Sequence, residues 1–265
     1  MNPLRLVTFL APNVLPAYQG IADYISHQLQ RPVHLLSADS HVAFAQLAPD
    51  VAFICGLPYI LMRRQQPPPV ELLAAPVLQG ARYQDRPIYF SDVIVRKESP
   101  YQSFADLRGA SWAYNEQVSQ SGYGITRHHL VQMGETSGFF SRVVNANWHQ
   151  KAIDMVVAGT IDATAIDSQV LAVALRDNPI LRQHIRTIDV LGPSTIQPVV
   201  TRPGLDPALR ADLQHLLLSL HHDSLNQAIL DQGLFARFTT IHDSDYDDLR
   251  QMLAAAEAAD FLVIS

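Results

Sequence analysis

"LRLVTFLAPNVLPAYQGIADYISHQLQRPVHLL" occupies residues 4–36, and its reading decides the fold. Residues 4–10 form an apolar run of the length expected for a buried strand. Residues 15–29 follow with Leu15, Ile21, Ile25 and Leu29 at roughly helical spacing. "PVHLL" (32–36) then reads as a second strand. Strand, helix and strand in that order are the repeating unit of parallel α/β sheets. The theme continues downstream. "HVAFAQLA" (41–48) predicts a short helix, "DVAFICG" (50–56) a third strand, and "LPYILMRR" (57–64) a helix whose first turn tolerates Pro58.

"QQPPPVE" (65–71) breaks the run as a loop, and "ELLAAPVLQG" with "ARYQDRP" reads as the connection to a strand, "IYFSDVIVRKE" (88–98). A second α/β run follows. "SPYQSFADLRG" carries Ser103 as a cap, with Asp106 three residues on and Gly109 as the stop. "ASWAYN", "FFSRVVNA" and "TIDATAID" predict strands, while "SGYGITRHHLVQMG" and "HQKAIDMVVAG" predict helices closed by Gly134 and Gly159. Residues 185–204 are strand-like with a Gly-Pro interruption, and helices are expected over 205–222, near 225–233 and over 245–261. These late helices need a sheet to cover, and the first run is the natural partner. The expected architecture is therefore α/β in two lobes. A discontinuous first lobe (1–86 and 197–265) wraps an inserted second one (87–196), and two crossing segments serve as a hinge.

Composition narrows the function. With 265 residues, 48% hydrophobic and 17% charged, the chain has the make-up of a soluble globular protein. A formal charge of −6, without any Lys/Arg cluster, argues against a nucleic-acid surface. The lone Cys55 excludes an intrachain disulfide and reads as packing. The most apolar window, "VAFICGLPYILM", falls well short of the roughly 20 residues that span a bilayer, and Gly56 and Pro58 interrupt it, so no membrane insertion is expected. "MNPLRLVTFL" lacks the pattern of a secretory leader. The location is then periplasmic or otherwise extracytoplasmic if a leader was removed, and cytoplasmic if Met1 is the native start.

In open α/β sheets, ligands sit beyond the carboxyl ends of strands. Three polar groups of the second run fall there. Ser119, Gln120, Ser121 and Gly122 follow "SWAYN" and open a helix, His149 follows "VVNANW" and opens the next, and Asp167 ends "TIDATAI". Unpaired N–H groups and a partial positive charge at a helix start favour an anion, and Gly122 permits close approach. His149 could donate to the same anion, while Asp167 could accept a protonated oxygen or amine. Plainer readings stand beside these. The Ser-Gln-Ser-Gly corner could simply cap its helix, His149 could be a capping or surface residue, Asp167 could start the next helix, and Tyr89 could be a strand aromatic.

Enzyme signals are poor. "SGYG" lacks the third glycine of the dinucleotide fingerprint, no phosphate loop ends in Gly-Lys-Ser/Thr, and no Gly-x-Ser-x-Gly elbow frames a nucleophile. The pairs His128–His129 and His221–His222 point in different directions on their helices, and His215 with His222 lacks a third ligand. No metal and no cofactor are expected.

Four blocks carry a resemblance: "PDVAFICGLPYIL", "VIVRKESPYQSFADLRGASWAYNEQVSQSGY", "WHQKAIDMVVAGTIDATAIDS" and "FTTIHDSDYDDLRQML". In their order and spacing the chain resembles the phosphate/phosphite/phosphonate family of substrate-binding proteins of ABC transporters. The resemblance implies a class II periplasmic-binding-protein fold whose two lobes close on a small oxyanion without any reaction. It also implies delivery to a transporter permease, with the protein working as a monomer. Carried over residue by residue, it assigns ligand contacts to Ser119, Gln120, Ser121, Gly122, Tyr89, His149 and Asp167, with Ser40 at a first-lobe position where the family has a tyrosine. The chain departs from the family pattern at Gln120, where a short hydroxyl is usual, at Ser40, and at Trp148, where a small residue precedes the histidine. Another oxyanion, an organophosphonate of unusual shape or a ligand without phosphorus thus stays open. So do a cytoplasmic ligand sensor on the same fold and, further off, an enzyme using His149 with Asp167 as an acid–base pair.

Overall fold

A computed structural model describes residues 2–38 and 43–264. The chain forms two compact units, Met1–Ile88 with Thr195–Tyr246, and Tyr89–Ser194 with Asp247–Ser265. It therefore passes between them three times, at 88/89, 194/195 and 246/247.

In the first unit the strands are β1 (Leu4–Thr8), β2 (Val33–Ser37), β3 (Val51–Phe53) and β4 (Glu71–Leu78), joined by α1 (Leu15–Leu29), α2 (Phe44–Leu47) and α3 (Gly56–Arg63). β1 lies between β2 and β3, parallel to both. The inward face of α1 is Ala17, Tyr18, Ile21, Ala22 and Ile25, rather than the expected line through Leu15 and Leu29. Small residues on that face let neighbours approach: a Cβ at Gly20 would lie only 3.0 Å from Ile229. β4 was hidden in the sequence by its alanines and by Pro76. Its first half pairs with a strand at 199–201 and its second half with one at 235–239, so Pro76 falls where only one partner flanks it. That is how a strand interior accommodates a residue without an N–H.

The second unit holds β5 (Ile88–Arg96), β6 (Ser111–Tyr114), β7 (Arg142–Asn145), β8 (Ala163–Asp167) and β9 (Ile185–Thr195), with α4 (Ile125–Gln132), α5 (His149–Val157), α6 (Ser168–Asp177) and α7 (Leu181–His184). β9 is one continuous strand, since Gly192 at φ +119° carries it through the expected Gly-Pro interruption. Ser103 does not cap the segment that follows it. Asp106 instead accepts from the amides of Gln102 and Ser103, at 2.8 and 2.9 Å. Chain order places β10 (Val199–Thr201), α8 (Pro207–Ser219), α9 (Gln227–Gly233) and β11 (Phe235–Thr239) in the first unit, completing the sheet β11-β4-β10-β3-β1-β2.

The last helix corrects an expectation. α10 (Asp247–Ala258) packs against α4 in the second unit, not on the first sheet. Phe261 and Ile264 beyond it are buried in a cluster with Val93, Phe104, Trp112, Tyr123 and Leu130. An amphipathic pattern shows that a helix needs a partner but not which sheet supplies it.

The second sheet runs β7-β6-β8-β5-β9. β7, β6 and β8 are mutually parallel and β5 is antiparallel to β8. The carboxyl ends of three strands and the amino end of β5 consequently share one edge. Trp112 of β6 anchors this arrangement, fully buried, with Phe140 stacked 4.8 Å away and Phe104 against its edge at 5.7 Å. Its indole N–H has no partner among the described residues. Trp112→Ala is expected to cost about 3–5 kcal/mol of unfolding free energy. Trp112→Phe should cost distinctly less, because the unpartnered N–H leaves with the indole. Urea unfolding followed by circular dichroism checks both values.

Candidate functional site

β6 leads through α4 to β7 on one side, and β7 returns through α5 to β8 on the other side of β6, so the order of strands reverses at its carboxyl end. Crevices form at such reversals in open α/β sheets. The turn after β6 lies there. The helix opened by Ser119 starts with one widened turn, Gln120–Gly124, before continuing as α4. In it the Gly124 amide reaches the Ser119 carbonyl five residues back, at 2.9 Å. Widened turns of this kind recur at functional sites.

A Cβ at Gly122 would overlap the side-chain oxygen of Asn115, so any larger residue there requires that side chain to move. Asn115, at the end of β6, was not singled out in the sequence. Its oxygen is buried without a hydrogen-bond partner among the described residues. An asparagine directly after a strand is too common to flag on its own.

The structure brings several expected groups together. Ser119 Oγ accepts from the Gly122 amide at 3.1 Å, so the plain capping role is real. The same hydroxyl lies 3.4 Å from Ser121 Oγ, which is 3.1 Å from His149 Nε2. Two serines and a histidine from separate helix starts thus form one buried polar chain, with Ser119, Ser121 and His149 each 3–5% exposed. His149 is the first residue of α5, preceded by the partly buried Trp148. Its Nδ1 is buried and lacks a partner among the described residues.

Asp167, 2% exposed, ends β8 opposite Ser91 of β5. Its Oδ1 accepts from the amides of Gln169 and Val170, at 2.8 and 3.3 Å, capping α6. Tyr89 is buried near the start of β5, two residues before the Ser91–Asp167 pair, and so sits on the same sheet edge. Gln120 takes a different course. Its side-chain nitrogen donates toward Ser194 Oγ at 3.3 Å and Met252 Sδ at 3.1 Å. Ser40 lies outside the described residues. Cys55 is buried at the start of α3. Among the described residues, no group of three or more His, Cys, Asp or Glu could hold a metal, and no helix is long and apolar enough to cross a membrane.

Two α/β units of this topology define the class II periplasmic-binding-protein fold, and solved structures bear it out. The binding component of an ABC phosphonate transporter from Pseudomonas aeruginosa superimposes with a TM-score of 0.84 at 16% identity, over 97% of this chain and 87% of that one. PhnD1 from Prochlorococcus marinus (MIT 9301), solved in complex with methylphosphonate, also gives 0.84, at 18% identity over 97% and 98% of the two chains. A Xanthomonas citri protein bound to chloride gives 0.75, at 18% identity over 98% and 99%. Residues 6–246 match the family described as ABC transporter, phosphonate, periplasmic substrate-binding protein, and the chain belongs to that family.

Burial makes His149 a neutral imidazole. Desolvation alone lowers its pKa from 6.5 to about 4. The unfolded chain then binds a proton between pH 6.5 and 4 that the folded protein refuses, so stability is complete above pH 6.5 and falls as the pH drops toward 4. Between pH 7.5 and pH 5 this group alone should remove about 2 kcal/mol. The unfolding free energies from urea titrations at the two pH values are expected to differ less by that amount in His149→Gln than in the parent protein.

Proposed function

We propose that this chain captures a small oxyanion of the phosphonate or phosphate class at the Ser119–Gly122 turn and delivers it to an ABC transporter permease. The observation that carries this reading is the buried chain Ser119–Ser121–His149 at the start of a helix. Helix amino ends supply N–H donors and a partial positive charge, and hydroxyls beside them add donors that can rotate onto an arriving oxygen. A neutral His149 can donate through Nε2 to Ser121, leaving the serine hydroxyl to donate onward to the anion. Nδ1 then stands as an acceptor for a protonated ligand oxygen. Asp167 offers a carboxylate on the same edge for such a proton, and Tyr89 flanks it as an aromatic wall.

The family's description as transport binding proteins supports capture and release rather than turnover. The same description favours an extracytoplasmic location and a permease partner over a cytoplasmic sensor. A phosphonate is favoured as ligand because PhnD1, a relative of the same fold, was solved with methylphosphonate.

Isothermal titration with methylphosphonate, phosphate, phosphite, an alkylsulfonate and a carboxylate tests the class of ligand. Each hydrogen bond to a charged group contributes about 1.5–3 kcal/mol. Ser119→Ala combined with Ser121→Ala should therefore weaken the preferred anion at least ~100-fold, with little change in far-UV circular dichroism. Equal affinity in the double variant would remove the turn as the binding site.

A further inference from the structure

A second set of contacts ties the same turn to the end of the chain. Gln120, Tyr123 and Arg127 are spaced three and four residues apart, and all three reach the closing segment of the chain. Gln120 Nε2 meets Met252 Sδ of α10 at 3.1 Å. Tyr123 Oη accepts from the Ile264 amide at 2.9 Å and donates to the Leu262 carbonyl at 3.4 Å. Arg127 Nη1 donates to the same carbonyl at 3.1 Å. The hydroxyl of Tyr123 thereby satisfies one backbone donor and shares one backbone acceptor of the tail. Phe261 and Ile264 on either side are buried in the hydrophobic cluster that also contains Tyr123, while Leu262 and Val263 between them are 47% and 60% exposed. The tail is thus pinned by the side chains of Phe261 and Ile264 and by the backbone at Leu262 and Ile264, against Tyr123 of the turn.

We infer that the segment from Met252 to Ile264 is a strap that sets the conformation of the Ser119–Gly124 turn, with Gln120, Tyr123 and Arg127 acting as positioning residues. This rests on the proposed anion site only for its effect on affinity; the mechanical role stands apart from the ligand. The widened turn is held at its front by a hydroxyl cap of modest strength, and its hydrogen bonds depart from ordinary helical geometry. A single buried tyrosine inside the turn, fixed to the tail through both backbone groups, restricts it from behind. The placement also gives the long amide at 120 a structural role. The larger side chain spans the distance to Met252 and to Ser194, so the corner is tied to α10 and β9.

The test is hydrogen–deuterium exchange on the ligand-free protein, resolved to peptides, for Tyr123→Phe and for a chain truncated after Asp260. Local opening sets the exchange of such segments, so the peptide covering 119–124 should exchange about tenfold faster in both variants. Peptides from β6 and β8 should keep their parent rates. Methylphosphonate affinity, measured in parallel, should fall in the same variants. Unchanged exchange at 119–124 in both, or an equal acceleration throughout the second unit, would overturn the strap. If truncation prevents folding, Tyr123→Phe alone decides, since it keeps the buried ring. Should the parent protein fail to bind methylphosphonate, the proposed ligand falls, while the exchange result still judges the strap.

Discussion

Three parallel strands ending at one edge are the constraint on which the second unit depends. β6 is flanked by β7 and β8 in a register that pairs Tyr114 with Asn145 and Ala113 with Thr164. The segments that follow must then emerge side by side, whatever their sequence. Thr164 reinforces the register through its hydroxyl, which donates to the Ala113 carbonyl at 2.8 Å. Serines, a histidine and an aspartate separated by nearly fifty residues come together because the sheet leaves them no other place. The first unit repeats the arrangement, with β1 between β2 and β3 and an antiparallel strand beyond.

Polar groups gathered this way need partners, and the structure supplies several of them within the corner itself. Ser119 caps Gly122, and Asp167 caps the helix that begins at Ser168, so neither residue owes its presence to a ligand alone. Capping and anion recognition use the same donors at the same helix starts. What distinguishes this corner is the continuation from Ser119 through Ser121 to His149, which an ordinary cap does not require. The buried histidine stays uncharged there, and so gives a directional hydrogen bond rather than a full positive charge.

Much of this was legible in the sequence, for identifiable reasons. β1, β6 and β8 are compact apolar runs, and the helices between them begin or end at clear signals such as Gly134 and Gly159. The positions of Ser119, Ser121, His149 and Asp167 follow directly from alternation, since a residue after a strand in a parallel sheet has a known edge. What escaped was set by distant partners. β4 is recognisable only once two strands from the far end of the chain pair with its halves. The destination of α10 depends on which sheet presents an apolar face to Leu249, Leu253 and Ala256. Gln120 follows Ser119 in the polar corner of the sequence; in a helical turn successive side chains diverge by about 100°, and its amide nitrogen reaches Ser194 and Met252.

The side chains gathered at Ser119, Ser121 and His149 are hydroxyls and a neutral ring, with no lysine or arginine among them. Attraction built from fixed dipoles among buried groups acts over a few ångströms and is little affected by dissolved ions. The hydrogen bonds joining these three side chains should therefore persist from fresh water to brine, where an exposed pair of ammonium and carboxylate groups would weaken steadily as the medium grew saltier.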